Sequence, residues 1–332
     1  MRVLSLSWAP FGHRMDELSR TVGGKRVSIT LLYGPRYFAP VRYAALFLRT
    51  LIMLATERPD FVYAQNPPVF CPLASLLYCR LAGKRLLVDH HSVWRVKTVG
   101  GLVGRGIGFL ESFVASAAYL NTTPHEVWAR ELRKMGARRV LVVHDFVERN
   151  PFKRDQRLRD KYAETPTIAI ASHGGHPLER LEAEVAATSS LPGVTLLVTG
   201  PPSKLAGRLK HLPPNVKFLG MLPMSDYLSL KASVDLALNI TDEPHTLSHV
   251  IFEYVASSLP VISSPQKVVQ DVFGDSILYV DSSDPAEVAR KIQELSGDGR
   301  LLGEYRSRAS EMYERLESLH SSEVDELRNR LK

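Results

Sequence analysis

Twelve short runs of apolar and β-branched residues, in two groups of six, limit what this 332-residue chain can fold into more than any other feature. The first group is Arg2–Ser7, Arg26–Leu32, Phe61–Ala64, Arg85–Asp89, Tyr119–Thr122 and Arg139–Val143. The second is Thr167–Ser172, Val194–Thr199, Val216–Leu219, Asp235–Ile240, Pro260–Ser263 and Ser276–Val280. Helix-period segments separate the runs. Parallel strands need crossovers of about a dozen residues or more, and helices supply them. Two groups therefore predict two doubly wound α/β domains, each on a parallel sheet. The polar stretch Glu148–Thr165, with Pro151, reads as a linker between domains at 1–147 and 166–300. Residues 301–332 carry glutamate and arginine at helical spacing and read as one or two C-terminal helices that can pack back on the first domain.

Doubly wound folds bind ligands beyond the carboxyl ends of their strands, here in a cleft expected between the two domains. In the first half these ends carry Gly12-His13-Arg14, Gln65-Asn66-Pro67-Pro68, Asp89-His90-His91 and His144-Asp145. In the second half they carry His173-Gly174-Gly175-His176, Gly200, Gly220 and the stretch from Thr241 to His249. Most of the 11 histidines fall in such segments. Several common sites are missing from the sequence. There is no phosphate-binding Gly-x-x-x-x-Gly-Lys-Ser/Thr, and no Gly-x-Gly-x-x-Gly opening a helix after a strand. Gly100–Gly108 reads as a mobile loop. No Asp-x-Asp offers a carboxylate pair to a divalent cation, and His90-His91 point to opposite strand faces, so no metal and no cofactor is expected.

Charge is uneven. Residues 1–147 hold 20 Lys+Arg and 9 Asp+Glu, while 148–332 hold 22 and 26. A basic first half suits an anionic partner or a merely soluble basic face. No aromatic-and-basic platform accompanies the charge, which disfavours nucleic acid. Cys71 and Cys79 are the only cysteines and form no disulfide framework, which suits a reducing compartment. The first residues look like a strand, not a signal peptide. The apolar stretch Tyr43–Ala55 is broken by Arg49 and too short to span a bilayer. It suits either a buried crossover helix or an interfacial one, with Arg36, Arg42, Arg49, Lys84 and Arg85 near headgroups.

The stretch His245–Ser264 places a lone carboxylate, Glu253, in an apolar helix. If that helix starts near Ser248, its first amides are unpaired and its dipole favours a phosphate there. Glu253 then sits about 8 Å along the axis, where a carboxylate can accept from the two hydroxyls of a ribose. The expected donor contacts are Glu253, the amides of Ser248, His249 and Val250, His245 and Thr246 in the preceding loop, Gly174 and Gly175 opposite, and Gly200 and Gly220 at further strand ends.

The polar loop, the glutamate-bearing helix, Ala256-Ser-Ser-Leu-Pro-Val-Ile262 and the upstream Asn215-Val-Lys-Phe-Leu-Gly220 resemble the donor domain of GT-B glycosyltransferases related to glycogen synthases and lipopolysaccharide transferases. The resemblance implies a nucleotide-sugar substrate whose ribose is held by Glu253. It departs in two places. The family's second glutamate, eight residues earlier, is His245 here, and its diphosphate-clamping Arg and Lys reduce to Arg180 alone. Gln65-Asn66-Pro67-Pro68 followed by Asp89-His90-His91 is similar to the β-mannosyltransferases acting on chitobiosyl-diphospho-dolichol. That likeness implies a polyprenyl-linked acceptor, with Gln65 and Asn66 on the acceptor side; Gly12, beyond the first strand, is expected to join them, and a polysaccharide precursor is the other acceptor expected. It also implies a peripheral location on the cytoplasmic face of an anionic membrane. His91 and Asp89 are the candidates for base or positioning work, with His13 next. An epimerase sharing the nucleotide site and a non-catalytic nucleotide-sugar-binding subunit are the alternatives.

Overall fold

The computed structural model describes residues 2–9, 12–31, 38–91, 100–155, 160–161, 168–173, 180–201 and 212–332, with backbone only for His13 and 168–173. The chain divides into two compact units, Met1–Asp145 with Leu319–Lys332, and Phe146–Ser318.

Unit one carries six strands: β1 (Val3–Ser7), β2 (Lys25–Ser28), β3 (Phe61–Asn66), β4 (Arg85–His90), β5 (Leu120–Thr123) and β6 (Val140–Val142). They pair in parallel in the order β2-β1-β3-β4-β5-β6. The chain leaves β1 to one side for β2 and returns on the other for β3. The crevice for a ligand therefore opens at the carboxyl ends of β1 and β3. Helices α2 (Ala39–Glu57), α3 (Phe70–Ala82) and α4 (Gly101–Ala117) share one core with the sheet, through Leu46 and Leu54, Leu76 and Cys79, and Val114. Met15 and Leu18 of α1 (His13–Thr21) belong to a second core, which also takes in Leu327 and Leu331.

Unit two carries β7 (Ile168–His173), β8 (Val194–Thr199), β9 (Val216–Gly220), β10 (Leu236–Asn239), β11 (Val261–Ser263) and β12 (Leu278–Tyr279). Their parallel order is β12-β11-β10-β7-β8-β9. The chain walks to β9 at one edge and comes back beside β7, so the switch point lies between β7 and β10. Its helices are α6 (Leu181–Ser189), α7 (Met224–Ser233), α8 (His249–Ala256), α9 (Lys267–Phe273) and α10 (Pro285–Gly297); α5 (Glu126–Lys134) belongs to unit one.

Three local expectations are corrected. Residues 101–108 are helical, not a loop. Ile107, Leu110 and Val114, spaced three and four apart, pack on the core, and that burial outweighs the weak helix propensity of the glycines. The apolar helix around Tyr43–Ala55 extends over 19 residues, enough by length and composition to cross a bilayer, with 17% of it buried. Its stripe Leu46, Thr50 and Leu54 is buried on the sheet, and Trp8 Nε1 donates to Thr50 Oγ1 at 3.0 Å, which holds it as the β2-to-β3 crossover. The expected linker is bonded to unit two along its described part: Asn150 Nδ2 donates to Leu228 O (2.8 Å) and Arg154 to Asp235 (2.7 Å). The C-terminal residues, expected as one or two helices, form one 33-residue helix, α11 (Gly299–Leu331). Leu301, Leu302 and Tyr305 pack on unit two, and Leu327 and Leu331 on unit one.

Candidate active site

In unit two the turn after β10 is held from both sides. From α6, Arg180 N donates to Ile240 O (2.8 Å), Glu184 Oε1 accepts from Ile240 N (3.1 Å), and Arg180 pairs with Asp242. From the end of β11, Ser264 Oγ accepts from Thr241 N at 2.9 Å. The anchored turn delivers the chain to Ser248, the N-cap of α8. Ser248 is extended (φ −74°, ψ 125°) and its side chain makes no capping bond. The first amides of the helix are thus not satisfied by that hydroxyl, and they retain the donors and partial positive charge that suit an anion.

Glu253 is the polar side chain of an otherwise apolar helix: Val250, Ile251, Phe252, Tyr254 and Val255 are buried. Its carboxylate is 19% exposed and points to a cation that sequence reasoning missed. Lys231 on α7, 1% exposed, donates from Nζ to Glu253 Oε2 at 2.7 Å. Tyr227, four residues earlier on α7, donates its hydroxyl to the same oxygen at 2.7 Å, and the ammonium lies 3.8 Å from its ring centroid. Oε1 makes no hydrogen bond among the described residues; His249 Nε2 is 4.0 Å away. One oxygen is fixed and the other is left to accept. Burial alone would raise the Glu253 carboxyl, but the Lys231 charge and the His249 and Tyr227 contacts outweigh it and hold the carboxyl below its ordinary value. Burial pushes the Lys231 ammonium down, against the pull of Glu253. The one trace of this pair in the sequence is a Tyr-x-x-x-Lys at helical spacing, but its partner lies 22 residues on, beyond any local pattern.

The structure brings Glu253, Ser248, His249 and Val250 onto α8, with His245 and Thr246 in the half-buried turn before it. The Val250 side chain is buried, so only its amide can serve. Gly174 and Gly175 lie outside the described residues. Gly200 and Gly220 do not join this group. Their strands are two and three places from β10, about 10 and 14 Å at the usual spacing. They bond to each other instead (3.0 Å), and their φ values of +135° and +70° suit glycine for backbone reasons.

In unit one, Gln65 and Asn66 end β3, and His91 follows β4 with its amide on Asn66 O at 3.0 Å. Gln65 Oε1, Asn66 Oδ1 and His91 Nδ1 are buried with no hydrogen-bond partner among the described residues. Buried polar atoms are nearly always paired, so three orphans at the carboxyl ends of two adjacent strands point to a polar ligand or water. Gly12 borders them: a Cβ there would lie 3.5 Å from Gln65 Oε1. His90, by contrast, is locked between Asn66 Nδ2 (3.2 Å) and Asn121 Oδ1 (2.9 Å), and burial lowers it to about 4, so it stays neutral. Nothing is described of the His13 side chain.

Asp89 is not available as a base. Its side chain is 1% exposed and accepts from Arg14 Nη2 (2.9 Å), Arg14 Nε (3.1 Å) and Thr122 Oγ1 (2.8 Å). Arg14 also donates to Val143 O (2.7 Å) and Asp145 (3.0 Å), so the pair ties together the carboxyl ends of β4 and β6. Lys84 and Arg85 are committed as well, Lys84 to Asp60 (3.0 Å) and Arg85 to the ring of Tyr119 (4.7 Å).

Glu111 of α4 is buried beside Asn66, and burial raises its carboxyl from 4.5 to about 7, against an opposing bond with Asn66. The native state therefore favours the protonated form. The stability present below pH 4.5 declines as the pH rises and is fully lost above about 7. Glu111→Gln should remove this loss. Urea unfolding at pH 5 and pH 8 is expected to show wild type weakening relative to the variant by about 2–3 kcal/mol; equal weakening would refute the assignment.

Residues 2–145 match the family model described as "Glycosyl transferase 4-like domain", and residues 177–298 the one described as "Glycosyl transferases group 1". No curated protein sequence matches the chain. Among solved structures it is similar to HepE of Anabaena in complex with UDP and glucose, with a TM-score of 0.79 and 15% identity over 98% of this chain and 99% of that one. Sucrose-phosphate synthase from Thermosynechococcus elongatus gives 0.77 and 14% over 98% and 97%. MnaA of S. aureus with UDP gives 0.64 and 15% over 94% and 92%. At these identities the likeness concerns the fold.

Proposed function

The chain is a glycosyltransferase of the GT-B fold, and from that premise we propose that it moves a sugar from a nucleoside diphosphate to an acceptor hydroxyl on a lipid-linked saccharide or polysaccharide precursor. The observation that carries the donor half is the half-engaged Glu253 carboxylate, one turn inside a helix whose opening amides its serine does not cap. The diphosphate rests on the amides of Ser248–Val250, and the ribose hydroxyls donate to Glu253 Oε1. UDP in the structures of HepE and MnaA agrees with this reading.

The orphan atoms of Gln65, Asn66 and His91 supply the acceptor half. In the reaction the acceptor oxygen bonds to the anomeric carbon as the bond from that carbon to the diphosphate breaks. The electron pair leaves on the diphosphate, where fixed amides stabilise the charge without reorganising. The hydroxyl proton passes to a base, for which His91 is the candidate. A lipid-linked acceptor supports a peripheral location on the cytoplasmic face of a membrane.

A thermal-shift panel tests the donor. A nucleoside diphosphate at 100 times its Kd adds about 2.7 kcal/mol of stability. UDP or GDP should stabilise the protein while the free nucleoside and inorganic phosphate do not. No shift with any nucleoside diphosphate would overturn the proposal. Turnover of a nucleotide sugar with no acceptor or water consumed would favour the epimerase.

A further inference from the structure

Among the described residues, ten of the fifteen large apolar side chains that stand exposed lie on or just before α2, α3 and α4. On α2 they form one outward stripe, Val41 (68%), Leu48 (60%) and Ile52 (67%), opposite the buried Leu46, Thr50 and Leu54. On α4 the matching stripe includes Leu102 (80%) and Phe109 (71%), and α3 between them adds Leu81 (81%). The three helices are neighbours in one layer: the ring of Tyr43 on α2 lies tilted against that of Phe70 on α3 (5.2 Å), and Arg80 of α3 lies over Phe113 of α4 (5.2 Å). A surface this rich in exposed apolar groups marks an interaction site.

The charge on this layer selects the partner. Arg42, Arg49, Arg80 and Arg105 lie on the three helices, whose only carboxylates are Glu57 and Glu111. Glu111 is buried, and Glu57 is held by Arg2 at 2.6 Å at the far end of α2. The face thus presents leucine, isoleucine and phenylalanine with cations among them and no free carboxylate. Acyl chains take the first and anionic headgroups the second, and arginine stems can reach up from apolar surroundings to the headgroups.

We infer that the outward face of α2–α3–α4 docks on an anionic lipid bilayer. Its geometry is independent of the donor site, while its purpose rests on the lipid-linked acceptor proposed above. The test is co-sedimentation of the full chain with vesicles of phosphatidylglycerol and phosphatidylcholine, and with vesicles of phosphatidylcholine alone. Wild type should bind the anionic vesicles and release in high salt. Ile52→Asp with Phe109→Asp should lower the bound fraction at least about tenfold, with the melting temperature and the UDP or GDP shift unchanged. Ile52→Ser with Phe109→Ser serves if the aspartates impair folding. Undiminished binding by these variants, or no binding of wild type to anionic vesicles, overturns the surface. So does a concentration-dependent dimer that the same substitutions abolish, which would mean that a second copy covers the face. A retained nucleotide shift in any of these outcomes leaves the donor reading standing.

Discussion

Arg14→Met is expected to destabilise unit one by about 3–5 kcal/mol, because it removes the guanidinium that two buried carboxylates, Asp89 and Asp145, share. All three side chains are 4% exposed or less. Water cannot take over as partner, and the backbone carbonyl of Val143 loses its donor as well. At this domain size the melting transition should fall by roughly 10 °C. Adding Asp89→Asn to Arg14→Met removes one of the two buried negative charges and should recover part of the loss. A single variant within 1 kcal/mol of wild type by chemical denaturation, at about the error of such comparisons, would contradict the network.

Glu253→Ala is expected to cost unit two about 3 kcal/mol before any ligand is considered, since it leaves the Lys231 ammonium buried without its counter-charge. That makes alanine a poor probe of ribose binding. Glu253→Gln with Lys231→Met removes both charges at similar volume and should fold close to wild type. The sign with pH follows from the carboxyl. Its folded value lies below the ordinary one, so its contribution is present above the unfolded value and is lost as the pH falls through the folded value. The stability gap between wild type and Glu253→Ala should therefore narrow below about pH 4. On the proposed donor reading Lys231 positions the carboxylate: Lys231→Met alone should raise KM for the nucleotide sugar more than it lowers kcat, because the carboxylate loses its fixed orientation. A pure fall in kcat would contradict that role.

The twelve strands were legible because each is a short apolar run bounded by a helical segment, a signal contained within a few residues. The Glu253 helix and its Ser248 cap were legible for the same reason. What escaped was long-range pairing. Nothing near Asp89 in sequence announces Arg14, 75 residues earlier, so a buried ion-pair carboxylate reads like a catalytic one. Lys231 was invisible as a partner of Glu253 because the two meet only when α7 and α8 pack. The glycines of Gly100–Gly108 suggested a loop, and tertiary packing of the half-buried Ile107 and the buried Val114 overrode local propensity. Gly200 and Gly220 looked like ligand contacts until the strand order placed them on the far side of β7.

Calorimetric titration of UDP and of 2′,3′-dideoxy-UDP, or of the guanosine pair if GDP is the better ligand, into wild type and into the Glu253→Gln/Lys231→Met variant isolates the contact at issue. The hydroxyl-bearing nucleotide should lose about tenfold or more in affinity in the variant, and the dideoxy nucleotide should bind both proteins alike. Equal losses for both nucleotides, or no loss for either, would mean that the carboxylate at position 253 does not hold the ribose.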